Sequence, residues 1–547
     1  MRIVIIGAVA AGTSAAAKAR RNDDFAEIVI YERDINISYS GCGLPYFIGD
    51  EVRDINELTP RDSAFFKEKY DILIHTQHEV LSVDVLNKTM VIRNLTDGVE
   101  FEDHFDKLIL ATGASPFVPN IKGIEQNHVF FLRNVQNAIA IKSYININKP
   151  KTAIIAGTGF IGFEVLESLM NLNINVKVIE VANKITPNLD EDMAIYLENI
   201  LIKKGIEIQK SVSINEIKTN SVILSDNTEL SADLVILATG VRPNVSLAKQ
   251  MGLKIGITGA IWVNDLMQTS NLDVYAAGDC IETFNIITGK PVYRPLGTTA
   301  NKTGRIAGDV VTGGSLRYQG NLSTGIFKLF DLCIGSTGLS ENEALNEGYD
   351  VEVVHNIKPN RPTYFKGEEM VIKAVADKVS KRILGVQIIG YDGVDKRIDV
   401  FATLITYKAK VDELFHLDLA YAPPFSTTKD PVHYTGMILE NSISGGRKIV
   451  TSNHLSQLGK DVQIIDARTT KDYSKKGFVE NAMNIPHSEL RNSIKDLDSS
   501  KPTVTYCNKG TTGNAAQNIL ISRGFSNVYN LSGGHNFYSG SLKKKEK

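Results

Sequence analysis

The stretch Arg2-Ile-Val-Ile-Ile-Gly7-Ala-Val-Ala-Ala-Gly12 has the pattern of an apolar strand that enters a glycine-containing turn. An alanine-rich segment follows, and a second strand at 27–32 ends on Glu32. Glycine permits the tight turn and lets the backbone approach a pyrophosphate, whose charge then lies at a helix N-terminus. A carboxylate that closes the second strand suits a pair of ribose hydroxyls. The stretch therefore predicts a β–α–β unit that binds a dinucleotide through Gly7, Gly12 and Glu32.

The same pattern returns about 150 residues later, where an apolar strand at 152–156 leads into Gly157-Thr-Gly159-Phe-Ile-Gly162. A strand that ends on Glu180 follows the next helical segment. This copy contains all three glycines of the dinucleotide fingerprint, whereas the first copy has Val9 in the middle position. Unrelated glycine turns would not be expected to repeat in this order. We therefore predict two dinucleotide sites.

Three further apolar strands end in small residues. Two of them, 108–113 and 234–240, finish in the same Ala-Thr-Gly turn, and a third ends in Gly278-Asp279. Small residues at a strand end can form an ordinary turn, but they also let backbone approach a cofactor. The ordered combination favours the second interpretation, in which Asp279 bonds a ribityl hydroxyl. The residues expected at the cofactors from these turns are Thr112, Gly113, Gly240 and Asp279.

Length, charge and cysteine usage narrow the class of protein. The chain has 547 residues, which predicts several domains. Its 60 basic and 62 acidic residues give a net charge of −2, so no electrostatic footprint for nucleic acid or an anionic membrane is expected. No apolar run reaches the roughly 20 residues of a membrane-spanning helix. The four cysteines (Cys42, Cys280, Cys333 and Cys507) are widely spaced and contain neither a Cys-x-x-Cys pair nor the spacing of zinc ligands. We therefore expect no metal site, and a reducing cytoplasm is favoured.

The order of first fingerprint, Ala-Thr-Gly, second fingerprint, second Ala-Thr-Gly and Gly-Asp resembles the flavoprotein pyridine nucleotide-disulfide oxidoreductases. The resemblance covers about residues 1–440. It implies FAD at the first unit and NADH at the second. Glu180 favours NADH over NADPH, because a carboxylate at that strand end would repel a 2′-phosphate.

Many members of that superfamily carry two redox cysteines separated by four residues, whereas the corresponding region here contains Cys42 alone. A lone redox cysteine must take its second sulfur from a thiol or a persulfide, or form a sulfenic acid. The string Ser38-x-x-x-Cys42-x-x-Pro45-Tyr46 resembles coenzyme A-disulfide reductases and NADH-dependent persulfide and polysulfide reductases. NADH oxidases and peroxidases have a similar cysteine but generally lack this Pro-Tyr pair.

The same resemblance assigns roles to two tyrosines. Tyr421 in Leu419-Ala-Tyr-Ala-Pro-Pro-Phe425 matches a family tyrosine that acts as an acid on the redox cysteine of the partner subunit. Phe425 replaces the second tyrosine of that segment. Tyr364 is the one residue left of a Tyr-Tyr-Pro-Gly stretch. A phenol with a reference pKa of about 10 can protonate a leaving thiolate. A packing role in a proline-rich turn is the alternative for Tyr421.

Coenzyme A carries phosphates, so we expect cationic and hydrogen-bonding side chains near Cys42. The candidates are Ser14, Lys18, Arg21 and Ser38, with a solvated helix face as the alternative for the two basic residues.

The C-terminal part has its own cysteine, in Val504-Thr-Tyr-Cys507-Asn-Lys-Gly-Thr-Thr-Gly513, with a helix expected from about Asn514. Together with the segments 464–468 and 531–534, this loop resembles a rhodanese domain, in which the loop cysteine carries a persulfide. Backbone N–H groups and the helix N-terminus would stabilise the anion. Thr512 stands where rhodanese loops of this type usually carry arginine, and Lys509 is the candidate for the missing charge. A relic cysteine in a docking module is the alternative.

The expected fold class is α/β, with two Rossmann-like dinucleotide-binding domains, an α+β dimerisation domain and a small α/β rhodanese-like domain. The expected boundaries are 1–150 with 271–321 for FAD, 151–270 for NADH, 322–440 for dimerisation, 441–455 for a linker and 456–547 for the rhodanese-like domain.

This organisation predicts a cytoplasmic homodimer that reduces coenzyme A disulfide, coenzyme A persulfide or polysulfide. The fused sulfur carrier favours persulfide or polysulfide. The alternatives are an NADH oxidase or peroxidase that cycles Cys42 through sulfenic acid, and a sulfur-trafficking or redox-sensing protein that acts through Cys507. Cys280 and Cys333 are expected to be buried, inert thiols.

Overall fold

The computed structural model describes residues 1–459, 461–540 and 542–543. These residues form two compact units. The first unit comprises 1–183 and 206–321, and the second comprises 184–205 and 322–547. Within the described residues, no helix combines the length and the apolar character needed to cross a bilayer.

The first unit is built on two parallel five-stranded sheets. One has the strand order Val274–Ala276, Lys107–Leu110, Arg2–Ile6, Glu27–Tyr31, Leu73–His75. The other has the order Glu207–Lys210, Asn175–Glu180, Thr152–Ala156, Leu234–Leu237, Val129–Phe130. Their central strands are buried runs of Ile, Val, Leu and Ala, as expected where helices cover both faces of a parallel sheet.

Seven α-helices belong to the first unit: Ala10–Asn22, Leu44–Ile48, Ser63–Tyr70, Val135–Asn148, Phe160–Asn171, Ser246–Gln250 and Gly297–Val310. The first and last of them pack closely, because Gly304 and Gly308 face the backbone of Ala11 and Ala15 without space for a side chain. The first unit also contains four small antiparallel sheets. Two are three-stranded: His78–Asp84 with Thr89–Asn94 and Glu100–His104, and Ile214–Ile217 with Ser221–Leu224 and Glu229–Ser231. Two are two-stranded: Ala114–Pro116 with Val241–Pro243, and Thr283–Phe284 with Pro291–Val292.

The second unit contains an antiparallel sheet in the order Gly325–Leu329, Leu332–Gly338, Ile383–Gly390, Glu369–Asp377, Val351–Pro359. The helices Glu191–Lys203, Glu341–Asn346, Val394–Thr406 and Pro431–Ile443 belong to the same unit. Lys373 is buried in this sheet and pairs with Asp190, Asp192 and Glu341. These carboxylates raise the pKa of Lys373 against the effect of burial, so the ammonium group is retained as part of a buried ion network.

The C-terminal part of the second unit is a parallel five-stranded sheet in the order Ile449–Val450, Val528–Leu531, Thr503–Tyr506, Gln463–Asp466, Ala482–Asn484. The helices Thr470–Lys476, Leu490–Ser493, Thr511–Ser522 and Gly534–Phe537 surround it, and Phe478–Val479 pairs with Leu542–Lys543. The strand Ile449–Val450 lies inside the predicted linker 441–455. Its two residues pair with Asn530 and Leu531, a long-range contact that a short segment after a Gly-Gly turn does not signal.

Candidate functional site

The two glycine turns have the same backbone geometry. Gly7 and Gly157 have φ values of 107° and 108°, a region that L side chains rarely adopt. A Cβ on Gly12 or Gly162 would overlap the carbonyl oxygen of Gly7 or Gly157. A Cβ on Gly159, in contrast, would meet no protein atom within 4 Å. The middle position of the second turn therefore faces open space at a helix N-terminus, as the approach of a pyrophosphate requires.

The two strand-end carboxylates tie each turn to its second strand. Glu32 is buried and accepts the backbone N–H of Ala8 at 2.7 Å, and Glu180 accepts that of Thr158 at 3.0 Å. Burial raises the pKa of Glu32. Both carboxylates thus lie at the glycine turn, where the sequence predicts them to meet a ribose.

The turns that follow the other predicted strands contain the remaining candidate cofactor residues. Asp279 lies on the 3₁₀ turn Gly278–Cys280, and its carboxylate is 2.8 Å from the guanidinium of Arg133. Thr112 donates its hydroxyl hydrogen to the carbonyl of Asn244, and Gly113 has a positive φ of 67°. Gly240 also has a positive φ, of 93°. The structure therefore brings Asp279 beside a cation, Arg133, that the sequence analysis did not single out.

Cys42 lies on the 3₁₀ turn Gly41–Gly43 and is exposed. Partial burial raises the pKa of its thiol, the carboxylates of Glu164 and Asp279 raise it further, and Arg133 opposes them. Asp279 follows the last strand of the first sheet, whereas Glu164 lies on the helix Phe160–Asn171 that begins at the second glycine turn. Cys42 is therefore within electrostatic reach of groups from both dinucleotide units.

Glu164 is a functional candidate that sequence reasoning missed. Burial raises the pKa of Glu164 to about 7, and Glu167 contributes in the same direction. These two carboxylates stand three residues apart on a largely apolar helix, so they share one face. That spacing was the signal available in the sequence.

The helix Leu44–Ile48 continues directly from the Cys42 turn and packs on the helix that carries Glu164. The hydroxyl of Ser168 donates to the carbonyl of Pro45 at 2.8 Å. Tyr46, the other member of the Pro-Tyr pair, has a pKa of about 12, raised by burial and by Glu164. The Pro-Tyr pair thus fixes the Cys42 turn against the second dinucleotide unit.

The four residues predicted to bind substrate have diverse surroundings. Ser14 donates to Asn301 at 2.7 Å, and the ammonium of Lys18 lies 3.0 Å from Asp309. Arg21 is exposed and its guanidinium lies over the ring of Tyr70, and Ser38 has a φ of 49° and donates its N–H to the carbonyl of Ala8. Ser14 and Lys18 therefore contact the helix Gly297–Val310, and the charge of Lys18 is matched by a carboxylate.

The predicted tyrosines lie in the second unit. Tyr421 is half-exposed, and Tyr364 is exposed on the 3₁₀ turn Thr363–Phe365. Phe425, at the position of the second family tyrosine, is also exposed. Both phenols are therefore open to solvent in the single chain.

Cys507 follows the central strand Thr503–Tyr506 and is buried. Its carbonyl accepts the N–H of His535 at 2.8 Å, which ties the loop to the helix Gly534–Phe537. The next helix begins at Thr511, three residues before the predicted start at Asn514, with Gly510 in the left-handed region as its N-cap. The start is earlier because Gly510 turns the chain directly into the helix. Cys507 thus lies at the base of a loop that leads into a helix N-terminus.

Buried polar residues near Cys507 give the segment 464–468 a structural role. Asp466 and Arg468 form a buried ion pair, and the hydroxyl of Tyr506 donates to Asp466 at 2.6 Å. Lys509, the candidate for the missing charge, is paired with Glu369. Its ammonium therefore has a carboxylate partner outside the loop.

The two remaining cysteines differ. Cys280 is fully buried and its thiol donates to the carbonyl of Ala277 at 3.3 Å, in agreement with an inert role. Cys333 lies in the strand Leu332–Gly338 but is only partly buried, because an antiparallel strand presents alternate residues to opposite faces.

Two parallel sheets, each with a glycine turn and a strand-end carboxylate, together with an exposed thiol are typical of a flavin- and pyridine nucleotide-dependent oxidoreductase. The comparisons with known proteins agree. Residues 1–301 match the pyridine nucleotide-disulphide oxidoreductase family, 325–431 match its dimerisation domain, and 452–540 match the rhodanese-like domain. The chain belongs to the pyridine nucleotide-disulphide oxidoreductase family, whose members use FAD and NAD(P)H.

Three similar proteins extend the comparison. The NAD(P)H sulfur oxidoreductase (CoA-dependent) of Pyrococcus furiosus is 38% identical over 80% of this chain and 99% of its own length. The structure of reduced CoADR-RHD from Bacillus anthracis matches with a TM-score of 0.96, 35% identity, and 98% and 97% coverage. The NAD-dependent persulfide reductase from A. fulgidus matches with a TM-score of 0.92, 37% identity, and 98% and 100% coverage. The predicted fold class and the predicted enzyme class are confirmed.

Proposed function

We propose that this chain is an NADH-driven reductase that breaks the sulfur–sulfur bond of coenzyme A persulfide, polysulfide or coenzyme A disulfide through the single thiol of Cys42. The observation that carries the proposal is the setting of Cys42. It is an exposed thiol whose pKa responds to Glu164 from one dinucleotide unit and to Asp279 from the other. Two of the similar proteins are named for the reduction of sulfur or of persulfide, which supports the same substrate class.

The chain's residues fit the two cofactors. The turn at Gly7 and Gly12, with Glu32 and Asp279, would hold FAD, and the turn at Gly157–Gly162 with Glu180 would hold NADH. FAD, when bound, supplies a two-electron carrier between NADH and sulfur. The carboxylate of Glu180 disfavours a 2′-phosphate and so supports NADH over NADPH.

The proposed reaction of Cys42 with coenzyme A persulfide has two steps. The Cys42 thiolate attacks the inner sulfur of coenzyme A persulfide, so that a bond forms between Cys42 and that sulfur while the sulfur–sulfur bond of the persulfide breaks. Hydrosulfide leaves, and Cys42 remains in a mixed disulfide with coenzyme A. Two electrons from NADH and one proton then return Cys42 thiolate and coenzyme A thiol. The raised pKa of Cys42 lowers the fraction of thiolate at neutral pH, so deprotonation of this thiol precedes the attack.

A second copy of the chain completes the site in this proposal. Residues 325–431 match a dimerisation domain, and Tyr421 and Tyr364 are exposed on the single chain. We place Tyr421 of the second copy at the leaving sulfur, where its hydroxyl would donate a proton, with Tyr364 nearby.

The C-terminal domain supplies sulfane sulfur in this proposal. Cys507 would carry it as a persulfide and present it to coenzyme A or to Cys42. A sulfur carrier has no use in the reduction of a plain disulfide. Its fusion therefore favours persulfide or polysulfide as the substrate.

The test is anaerobic NADH oxidation by the FAD-loaded protein with coenzyme A disulfide, coenzyme A persulfide and polysulfide in parallel. The wild type, Cys42→Ser, Cys507→Ser and the buried-thiol control Cys280→Ser are compared. We expect the fastest turnover with persulfide or polysulfide, with hydrosulfide release that falls more than 100-fold in Cys42→Ser. Cys280→Ser should stay within twofold of the wild type.

Two outcomes contradict the proposal. Rapid reduction of oxygen or peroxide without turnover of any sulfur substrate would make Cys42 a sulfenic-acid centre. Equal turnover in Cys42→Ser and the wild type would remove Cys42 from the reaction.

A further inference from the structure

The Cys507 loop has Thr512 where rhodanese loops of this type usually carry arginine. A cation from another part of the second unit, Lys358, contacts the residue next to it. The ammonium of Lys358 lies 3.1 Å from the hydroxyl of Thr511, the first residue of the helix that follows the loop. Lys358 belongs to the strand Val351–Pro359 of the antiparallel sheet. The contact joins two segments more than 150 residues apart in sequence, so the local motif gives no sign of it.

The side chain of Lys358 is held in place. Its ammonium lies 4.2 Å from the centre of the Tyr434 ring, and the ammonium of Lys429 lies 5.9 Å from the same ring. A partly desolvated cation above an aromatic face is attracted by the negative charge density of the ring. Tyr434 therefore fixes the cation at the mouth of the loop.

Three titratable groups influence Lys358, two from the Cys507 loop and one, Lys429, from another segment. Burial and the neighbouring Lys509 lower the pKa of Lys358, the Cys507 thiolate raises it, and Lys429 lowers it. Of these groups only Cys507 can become an anion. The nearest other cation on the loop, Lys509, forms an ion pair with Glu369.

The strand and the loop are also fixed relative to each other. His355, three residues before Lys358, donates its backbone N–H to the hydroxyl of Ser532 at 2.7 Å. The imidazole of His355 stacks on Phe537 with 4.3 Å between ring centres and is 2.8 Å from the carboxylate of Asp192. Ser532 and Phe537 flank His535, whose N–H binds the carbonyl of Cys507. The strand of Lys358 and the segment bonded to Cys507 are therefore joined by the buried contact of His355 with Ser532 and Phe537.

We propose that Lys358 is the positioning cation of the Cys507 loop. It takes the place of the arginine that is absent at position 512, where this chain has Thr512. The inference rests on the proposed role of Cys507 as a sulfur carrier and names the residue that stabilises its anionic forms. The ligand class is a sulfane-sulfur anion, either the Cys507 thiolate or its persulfide. In the loading step, the Cys507 thiolate attacks the outer sulfur of a thiol persulfide. A sulfur–sulfur bond forms on Cys507, the donor's sulfur–sulfur bond breaks, and the donor leaves as a thiolate.

The test compares Lys358→Met, Lys358→Arg and Lys509→Met in the FAD-loaded full chain. The rate of Cys507 alkylation by iodoacetamide is followed from pH 6 to 10 by peptide mass spectrometry. In Lys358→Met we expect the rate at pH 7.5 to fall about tenfold, because the Cys507 thiolate loses the cation that stabilises it. Lys358→Arg should restore most of the rate. Lys509→Met, the matched control, should stay within twofold of the wild type.

Sulfur loading provides a second readout. Persulfide on Cys507 after exposure to polysulfide should fall at least fivefold in Lys358→Met. Reduction of bound FAD by NADH, which depends on residues of the first unit, should be unchanged and serves as the folding control. An unaltered alkylation profile in Lys358→Met, or an equal loss in Lys509→Met, overturns the inference. Failure of the wild type to load sulfur from any donor would instead overturn the carrier role of Cys507, and the alkylation profile would still test Lys358.

Discussion

The turn at Gly7–Gly12 and the turn at Gly157–Gly162 begin and end with the same glycines but differ in the middle, where one has Val9 and the other Gly159. The outer glycines are required by the protein itself, because a Cβ there would overlap neighbouring backbone. The middle position has a φ of −93° in the first turn and −73° in the second, which any residue adopts. The comparison separates glycines that the fold needs from a glycine that only a ligand needs.

The helices that follow the two turns differ in a second way. Seven residues after the first glycine, the first helix has Ser14, which bonds to Asn301, and the second helix has Glu164. The serine joins two helices within one site, whereas the carboxylate acts on Cys42. Equivalent positions in the repeated motif therefore have different surroundings in the two copies.

The largest expected effect is at the outer glycines. Gly12→Ala and Gly162→Ala should each destabilise the first unit by about 3 kcal/mol, because the new methyl group is forced into backbone that cannot move away. Gly12→Ala should also lose bound FAD, and Gly162→Ala should lose NADH binding. Flavin absorbance and chemical denaturation measure both. The control is Gly297→Ala, where a Cβ meets nothing within 4 Å. A Gly12→Ala protein with normal FAD content and stability would refute the steric argument.

An intermediate effect is expected at the middle positions. Gly159→Val should leave stability within about 1 kcal/mol, because the site is open and its φ is permitted. It should raise the KM for NADH at least tenfold, since the branched side chain would occupy the approach of the pyrophosphate. The reciprocal change, Val9→Gly, should keep FAD and alter NADH kinetics less than twofold. Loss of stability in Gly159→Val as large as in Gly162→Ala would remove the distinction between the two kinds of glycine.

The sequence was sufficient for features that lie within one short segment. The glycine turns and the carboxylates Glu32 and Glu180 follow from local patterns with a known physical reason, whereas the redox role of Cys42 was expected from a family resemblance. The sequence did not reveal Arg133 beside Asp279 or Lys358 beside Thr511, because each pair is separated by more than 140 residues and is set only by the packing of sheets and helices. The early start of the helix at Thr511 was missed because the role of Gly510 depends on its left-handed conformation.

A pH-dependent effect concerns the charge of Glu164, which the first helix lacks at the equivalent position. Its folded-state pKa of about 7 lies above the ordinary value of 4.5, so the protonated form is favoured in the fold. The stabilisation is fully present below pH 4.5 and is lost as the pH rises through about 7. Between pH 5 and 8 the wild type should therefore lose about 2 kcal/mol more stability than Glu164→Gln, as measured by chemical denaturation with flavin fluorescence.

Glu164→Gln should also increase the rate of Cys42 alkylation. Because the Glu164 carboxylate raises the pKa of Cys42, its removal should increase Cys42 alkylation at pH 8 by about threefold, with little change at pH 5.5, where Glu164 is already neutral. The matched control is Glu191→Gln, an exposed glutamate at the start of a helix in the second unit. An identical pH profile in Glu164→Gln and the wild type would mean that the carboxylate does not influence Cys42. The difference between Ser14 and Glu164 would then be one of packing alone.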